Sequence, residues 1–450
     1  MKNFLRSLAI VIPFLTIVSC SKDTVEISSK DTETYSADFL YKYYHQICKF
    51  SKTTSGFFPP QVSRVYGYVG IAQYEATLPG IENAVSLQNQ LYGFAQYKLP
   101  IPESNNTYNW AIASNASIRK MMKYMFGTNL LPTNEVALDS LYAVNLEELS
   151  VGIDANVVSR SVQFGESIAD IVYDYSKSDG GHESYKDPFQ LPYTVPSDPY
   201  CWVPTSAVKT PLSPRWGSNR PFLINNITKV QPRMPVEFSS DTNSEFYKEA
   251  MYVYNTVQNN STEHVEIAKF WADDPFATCT PAGHTFNILT QILKEEKVTL
   301  AKASVAFARL GIAENDAFIA CWKGKYDYVL IRPVSYIQKY IDPSFKTVIG
   351  TPPFPAYTSG HSCEMGAGAR IFTELFTDGS GYYPFTDYSQ LQYGYAARSF
   401  QNFDEVAQEC AISRLYGGIH YTFDNEKGLQ VGKAVGDNVN KEIKWPIFVR

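Results

Sequence analysis

Basic charge is in short supply in this 450-residue chain: 39 Lys and Arg stand against 45 Asp and Glu, a formal net charge of −6. That balance excludes a broad nucleic-acid surface, which needs a positive face. No C-x-x-C pair occurs, which argues against a zinc ribbon. Strand-like alternation of apolar and polar residues is scarce, and no short-period repeat is found. Beyond the N-terminus no run is long and apolar enough to cross a bilayer. What the chain has is a 44% hydrophobic and 14% aromatic content, ample for one large core or two modest ones.

The N-terminus reads as an export signal over residues 1–19. Lys2 and Arg6 are followed by the apolar run Leu8–Val18, too short for a comfortable membrane span. It ends in Ile17-Val18-Ser19-Cys20, which resembles a bacterial lipobox, where the Cys becomes the lipidated first residue. A plain signal peptide with an incidental cysteine is the alternative. Residues 20–34 then form a polar tether, so the expected setting is an exported lipoprotein of the bacterial outer membrane or periplasm, touching membrane only through a lipid on Cys20. The other cysteines are Cys48, Cys201, Cys279, Cys321, Cys363 and Cys410. Disulfides and buried free thiols are both open for them, and spacing does not say which would pair.

Apolar residues recur at helical spacing over Ser36–Phe50, Gln61–Ala76, Asn109–Met125, Glu135–Glu148 and Asn156–Ser176. The pattern resumes at Ser244–Gln258, Glu263–Trp271, Thr285–Lys297, Leu300–Lys323 and Cys363–Phe376. Between the two groups, Ser178–Pro235 is rich in Pro, Ser, Asn and aromatics. Its aromatics need burial, so it reads as an ordered excursion from one helical body, with an interdomain linker as the alternative. The expectation is an all-α protein of packed helical bundles with long ordered loops, a single catalytic domain over residues 35–450.

Three short clusters lie between residues 322 and 424: Lys325-x6-Arg332-Pro333, then Ser359-Gly360-His361, then Ser413-Arg414-x5-His420. Lys325 and Arg332 are seven positions apart, so on one helix they share a face with Trp322, and Pro333 ends or kinks that helix. Prolines 352, 353 and 355 force an extended approach to a helix N-terminus at Ser359-Gly360-His361, where free N–H groups attract anions. Gly417-Gly418 ends a third helix and swings His420 back toward Arg414. Asp424, four beyond His420, is placed to accept one ring N–H and leave the other nitrogen as a nucleophile. Three cations, two imidazoles and a glycine amide are what a pocket needs to hold a small oxyanion.

Taken in order, the clusters resemble the shared signature of vanadium-dependent haloperoxidases and the type 2 phosphatidic acid phosphatase superfamily. The resemblance implies vanadate as cofactor, held covalently by His420. It implies Lys325, Arg332, Arg414, Ser359 and the Gly360 amide around the oxyanion's oxygens, and His361 as acid–base partner. Trp322 and Pro353-Phe354-Pro355-Ala356-Tyr357 look like the haloperoxidase branch, with Phe354 beside the cofactor; Thr358 departs from it, since Pro is commoner there. The implied activity is oxidation of halide, iodide foremost and sometimes bromide, by hydrogen peroxide to hypohalous acid, with Lys325 polarising the peroxide. The alternative is an acid phosphatase of the same superfamily with His420 as nucleophile. A surface lipoprotein with a decayed ligand site is opposed by the intact Lys, Arg and His residues. Phe270-Trp271-Ala272-Asp273-Asp274-Pro275 and Gly283-His284 are also similar to bacterial relatives; they suggest that Asp273 or Asp274 pairs with a cofactor-binding Arg and that His284 lines the mouth, or that the segment is only a helix-end turn.

Overall fold

Two helices that are buried on every face set the architecture. One is α2 (Pro59–Thr77), started by Pro at its first position; the other is α10 (Leu300–Tyr328), capped by Thr299, whose Oγ accepts the Lys302 N–H. A helix buried all round has no solvent side and belongs at the centre of a fold, and of the charged residues these two carry, Arg64 and Asp316 are paired or hydrogen-bonded inside it. The two meet through small residues: a Cβ on Gly70 would lie 2.9 Å from the Phe307 carbonyl, and one on Gly311 would lie 2.7 Å from that of Tyr66. Side chains at either position would push the two backbones apart.

The structure is a computed structural model that describes residues 31–231 and 233–448. Around the central pair run α1 (Asp38–Thr53), α3 (Trp110–Phe126), α4 (Pro132–Leu149), α5 (Ala155–Ser176), the short α6 (Asn225–Thr228), α7 (Glu245–Gln258), α8 (Thr262–Phe270) and α9 (Thr280–Glu295). After α10 come α11 (Pro333–Tyr340), α12 (Gly360–Phe376), α13 (Phe403–Tyr416) and α14 (Thr422–Glu442). The all-α expectation holds; the one described sheet is an antiparallel pair, β1 (Phe385–Asp387) with β2 (Arg398–Phe400) in register Phe385↔Phe400. One apolar core runs from Ala37 to Trp445, and a smaller one joins α7, α11 and the start of α14.

The excursion after α5 is ordered and buries Trp202, Trp216 and Phe222. It is pinned by Asp316 of α10, whose carboxylate accepts the Phe222 and Leu223 N–H groups at 2.8 and 2.9 Å and the Asn226 amide at 2.8 Å. The signal peptide, the lipobox cysteine and most of the tether lie outside the described residues. The end of the expected tether is not free chain: Thr32–Thr34 forms a 3-10 turn, and buried Thr32 donates to the Thr77 carbonyl at 3.0 Å. Cys48 and Cys279 form a disulfide that ties α1 to the segment before α9, a pairing across 231 residues that spacing could not reveal. Cys201, Cys321, Cys363 and Cys410 are buried free thiols.

Helix α12 starts in the second sequence cluster, α14 follows directly on the third and carries Asp424, and the two pack closely. Gly428, Gly432 and Gly436 recur every four residues along α14, on one face. A Cβ on Gly432 would lie 2.0 Å from the Cys363 carbonyl, and one on Gly436 would lie 2.7 Å from that of Ala367. The helix starts are joined directly, because the Ser359 N–H donates to the Asp424 carbonyl at 3.0 Å.

Candidate oxyanion site

Lys325 and Arg332 do not share a helix. α10 stops at Tyr328, where Val329 turns left-handed at φ 49°, and Leu330 then bridges to Cys201. Arg332 is the N-cap of α11, so Pro333 opens a helix instead of ending one. The two side chains still converge, since the link turns the chain back on itself. Ser359 caps α12, its hydroxyl accepting the Ser362 N–H at 3.4 Å, so the helix starts at Gly360, three residues earlier than periodicity suggests. Gly360 has room beside it, as a Cβ there would meet only Trp322 at 3.7 Å. Arg414 sits in the last turn of α13, and Gly418 at φ 75° turns the chain so that His420 faces back.

His420 is the hinge of the arrangement. Its Nδ1 lies 2.9 Å from Asp424 Oδ2, which also accepts the Tyr421 N–H at 3.1 Å. That carboxylate contact puts the proton on Nδ1 and leaves Nε2 with a lone pair. Arg332 Nη1 stands 3.1 Å from Nε2, while its Nε donates to the Phe354 carbonyl at 2.7 Å. Burial drives the His420 pKa well below its usual 6.5, and the charges of Arg332, Lys325 and Arg414 push it the same way. The ring is neutral at physiological pH. Asp424 is itself raised to about 7 by burial, against the pull of Lys325 and Arg332.

His361 is held neutral too: burial comes first, then Arg414 and the neighbouring His284. Its ring is hydrogen-bonded to the Ala272 backbone, and Nε2 has no partner. Arg414 donates from Nη1 to the Trp271 carbonyl at 2.6 Å, leaving Nε and Nη2 unpartnered. Arg332 Nη2 is likewise buried and unpartnered. Buried donors are almost always satisfied in folded proteins, so the orphan guanidinium N–H groups of Arg332 and Arg414, from two different elements beside one imidazole, mark a place for acceptors. Lys325, Arg332 and Arg414 are 0% exposed, and among the described residues none of the three reaches a carboxylate at ion-pair distance.

Lys325 differs from the expected free donor. Its Nζ already donates to the carbonyls of Pro355, Ala356 and Thr358 at 2.9, 3.0 and 2.6 Å. A direct bond to an oxyanion requires one of these to be released; otherwise the ammonium acts through space and shapes the loop before Ser359. Burial lowers its pKa to about 8. Phe354 lies against this group, its ring centroid 5.0 Å from both Lys325 Nζ and Arg332 Cζ and 5.1 Å from the Trp322 ring. Trp322 is buried, its indole N–H donating to the Leu212 carbonyl at 3.3 Å. Above His361 a cavity of about 330 Å³ opens between Phe58, Leu212, Asp274, Phe276 and Phe354.

The second acidic group is arranged otherwise than the sequence suggested. Neither Asp273 nor Asp274 makes an ion pair with Arg414. Asp273 instead accepts from His284 Nδ1 at 2.8 Å and from Gln390 Nε2 at 2.8 Å, while Asp387 takes His284 Nε2 at 2.9 Å. His284 does not line the mouth: it is 1% exposed and stacked on Trp271. Burial lowers its pKa, but the two carboxylates outweigh that and raise it to about 10, so it is an imidazolium behind the site. Asp387 and Gln390 went unnoticed in the sequence because they come from the β1 region, over a hundred positions downstream of His284 and with no local motif.

Residues 340–447 match the VCPO second helical-bundle domain, a segment that holds the second and third clusters and excludes Lys325 and Arg332. The vanadium chloroperoxidase of Curvularia inaequalis is 22% identical over 462 residues, covering 81% of this chain and 74% of that protein. A bacterial vanadium-dependent chloroperoxidase in its holo form superposes with a TM-score of 0.67 at 16% identity, over 86% of this chain and 92% of that one. The first bacterial vanadium-dependent iodoperoxidase to be crystallised superposes with a TM-score of 0.82 at 31% identity, covering 91% of this chain and 97% of that one. With 31% identity extending over 91% of its length, the chain belongs to the vanadium-dependent haloperoxidase family.

Proposed function

We propose that this chain is a vanadate-dependent haloperoxidase that oxidises halide, iodide foremost, with hydrogen peroxide to hypohalous acid. The observation that carries the reading is the trio of buried cations without counter-ions, set around a neutral imidazole whose Nε2 lone pair is free of a proton. Leaving such charges unpaired is strongly destabilising, and a bound oxyanion relieves it. The donor set fits vanadate: His420 Nε2 for the central atom, Arg332 and Arg414 for its oxygens, and the Ser359 hydroxyl and Gly360 N–H at the α12 N-terminus. When bound, vanadate supplies a Lewis acid that activates peroxide without changing its own oxidation state.

The protein's residues do the remaining work. His361, neutral and with Nε2 unpartnered, is able to take the first proton from hydrogen peroxide and return it to the departing oxygen. Arg332 and Arg414 hold charge that builds on oxygen, in a site where water screens little. Net turnover consumes one proton as halide and peroxide become hypohalous acid and water. Iodide is favoured because it is the easiest halide to oxidise, and because the relative that is 31% identical is described as an iodoperoxidase. Export and lipidation at Cys20 belong to the same proposal; the Cys48–Cys279 disulfide supports an oxidising compartment.

The test uses purified apo-protein with and without vanadate, measuring iodide oxidation by peroxide beside phosphate-ester hydrolysis. Peroxidation that requires vanadate is expected. Hydrolysis that vanadate inhibits, without peroxidation, would replace this reading with the phosphatase one.

A further inference from the structure

Behind the cradle lies a pair of thiols that halide oxidation does not use. Cys321 sits on α10, one turn before Lys325, and Cys363 sits on α12, two residues after His361; both are 0% exposed. Thr358 is wedged between them, its Oγ1 lying 3.6 Å from Cys321 Sγ and 3.4 Å from Cys363 Sγ. Both sulfurs therefore share one hydroxyl oxygen as a neighbour. Cys321 in turn donates to the Thr358 carbonyl at 3.4 Å, the same oxygen that accepts Lys325 Nζ at 2.6 Å. One shared acceptor therefore separates the Cys321 sulfur from a side chain of the oxyanion site.

Most buried cysteines are inert packing. These two differ in sharing the Thr358 hydroxyl as a neighbour and in lying behind the place where, on the reading above, an oxidant is made. Burial pushes the Cys321 thiol up, but Cys363, the Lys325 ammonium and the Thr358 hydroxyl together outweigh it and bring it down to about 7, which eases loss of its proton on reaction. The other two free thiols lack this setting: Cys410 has only the His361 carbonyl as partner, at 3.7 Å, and Cys201 lies in a separate small cluster with Trp202.

We propose that Cys321 and Cys363 form a redox-modification site behind the oxyanion cradle, where the enzyme's own oxidant joins them in a disulfide and halts turnover. The inference rests on the haloperoxidase reading above. Hypohalous acid transfers its halogen to the Cys321 sulfur and leaves as water; the Cys363 sulfur then attacks Cys321, forming the S–S bond and expelling halide and a proton. Two thiols and one hypohalous acid thus give one disulfide, one halide, one proton and one water. The new bond draws both sulfurs off Thr358 Oγ1 and removes the Cys321 bond to the Thr358 carbonyl. That carbonyl anchors Lys325 and precedes the α12 cap, so its displacement loosens the cradle from behind.

The experiment turns over the vanadate-loaded full chain with iodide and peroxide, follows iodide oxidation, then quenches, alkylates under denaturing conditions and maps the peptides by mass. A parallel sample receives reagent hypoiodite without peroxide. The expected result is a Cys321–Cys363 linked peptide two hydrogens lighter than the free pair, rising as activity falls, in both samples, with activity restored by a small dithiol. In Cys363→Ser the initial rate stays within about twofold, while no linked peptide forms and Cys321 gains oxygen instead. Cys321 and Cys363 remaining free in both samples overturns the proposal, as does oxidation of Cys410 or Cys201 first. Absence of iodide oxidation with a linked peptide in the hypoiodite sample overturns the haloperoxidase reading and leaves the thiol chemistry standing.

Discussion

Replacing Asp424 separates two things its carboxylate does for His420. Oδ2 accepts both His420 Nδ1–H and Tyr421 N–H, at 2.9 and 3.1 Å, while Oδ1 is buried without a partner. An asparagine with its carbonyl in the Oδ2 place keeps both bonds and loses only charge. An alanine loses both bonds, frees the ring to flip its tautomer and leaves the Tyr421 N–H unsatisfied, a cost of about 1–3 kcal/mol in stability. Groups that orient a metal-binding histidine are worth roughly 10–100-fold in affinity, about 1.4–2.7 kcal/mol. Asp424→Ala should therefore weaken vanadate binding by that factor, and Asp424→Asn by less than about tenfold. Calorimetric titration of the apo-protein with vanadate reads this without turnover, and circular dichroism checks that each variant is folded. Wild-type affinity in Asp424→Ala, or equal losses in the two variants, refutes orientation as the carboxylate's role.

Removing Arg414 should move stability and binding in opposite directions: Arg414→Met raises the melting temperature of the apo-protein, since a buried unpaired charge is gone, yet lowers vanadate affinity by roughly 10–100-fold for the lost charge-assisted bonds, both read in one thermal-shift series. His420→Ala should bring halide oxidation to background with the helical circular dichroism spectrum intact; residual vanadate-dependent turnover would displace His420 from the site. His361 and His420 have folded pKa values depressed below 6.5, so below pH 6.5 the unfolded chain takes up protons that the folded chain does not, and apo-protein stability falls as pH drops. Vanadate, being anionic, raises the His361 value, while coordination at Nε2 keeps His420 from taking up a proton, so through His361 the loaded protein should lose less between pH 7 and 5 in matched urea titrations. Lys325 sits at about 8 in the free protein, so vanadate affinity should weaken as pH rises past about 8 and its ammonium is lost; a flat profile there would remove Lys325 charge from anion binding.

How much of this was readable in the chain depends on range. Periodicity within one helix found α2, α3, α5 and α10 to within a few residues, because Pro, Asn and Asp signals near their ends are local. The cluster residues were legible for the same reason: each motif is a cap or a turn with its own chemistry. The misassigned link between Lys325 and Arg332 turns on Val329, a β-branched residue at φ 49° that no propensity favours and that the bridge from Leu330 to Cys201 holds in place. The Asp273–His284–Asp387 group and the Cys48–Cys279 bond join segments brought together only by packing. Saturation of Lys325 by three carbonyls was equally invisible, since it depends on how the proline-rich loop folds over the end of α10.

The glycine seam between α12 and α14 bears on how a ligand arrives. With Gly428 and Gly432 letting the two backbones touch, and the Ser359 N–H bonded to the Asp424 carbonyl, the anchoring imidazole and the amide-bearing helix start form one rigid body before any anion enters. That part of the site then needs no closing motion, and little ordering entropy is left for it to lose. Such a receptor is gated by diffusion through its mouth, so capture rates should track ionic strength and viscosity more than any internal rearrangement.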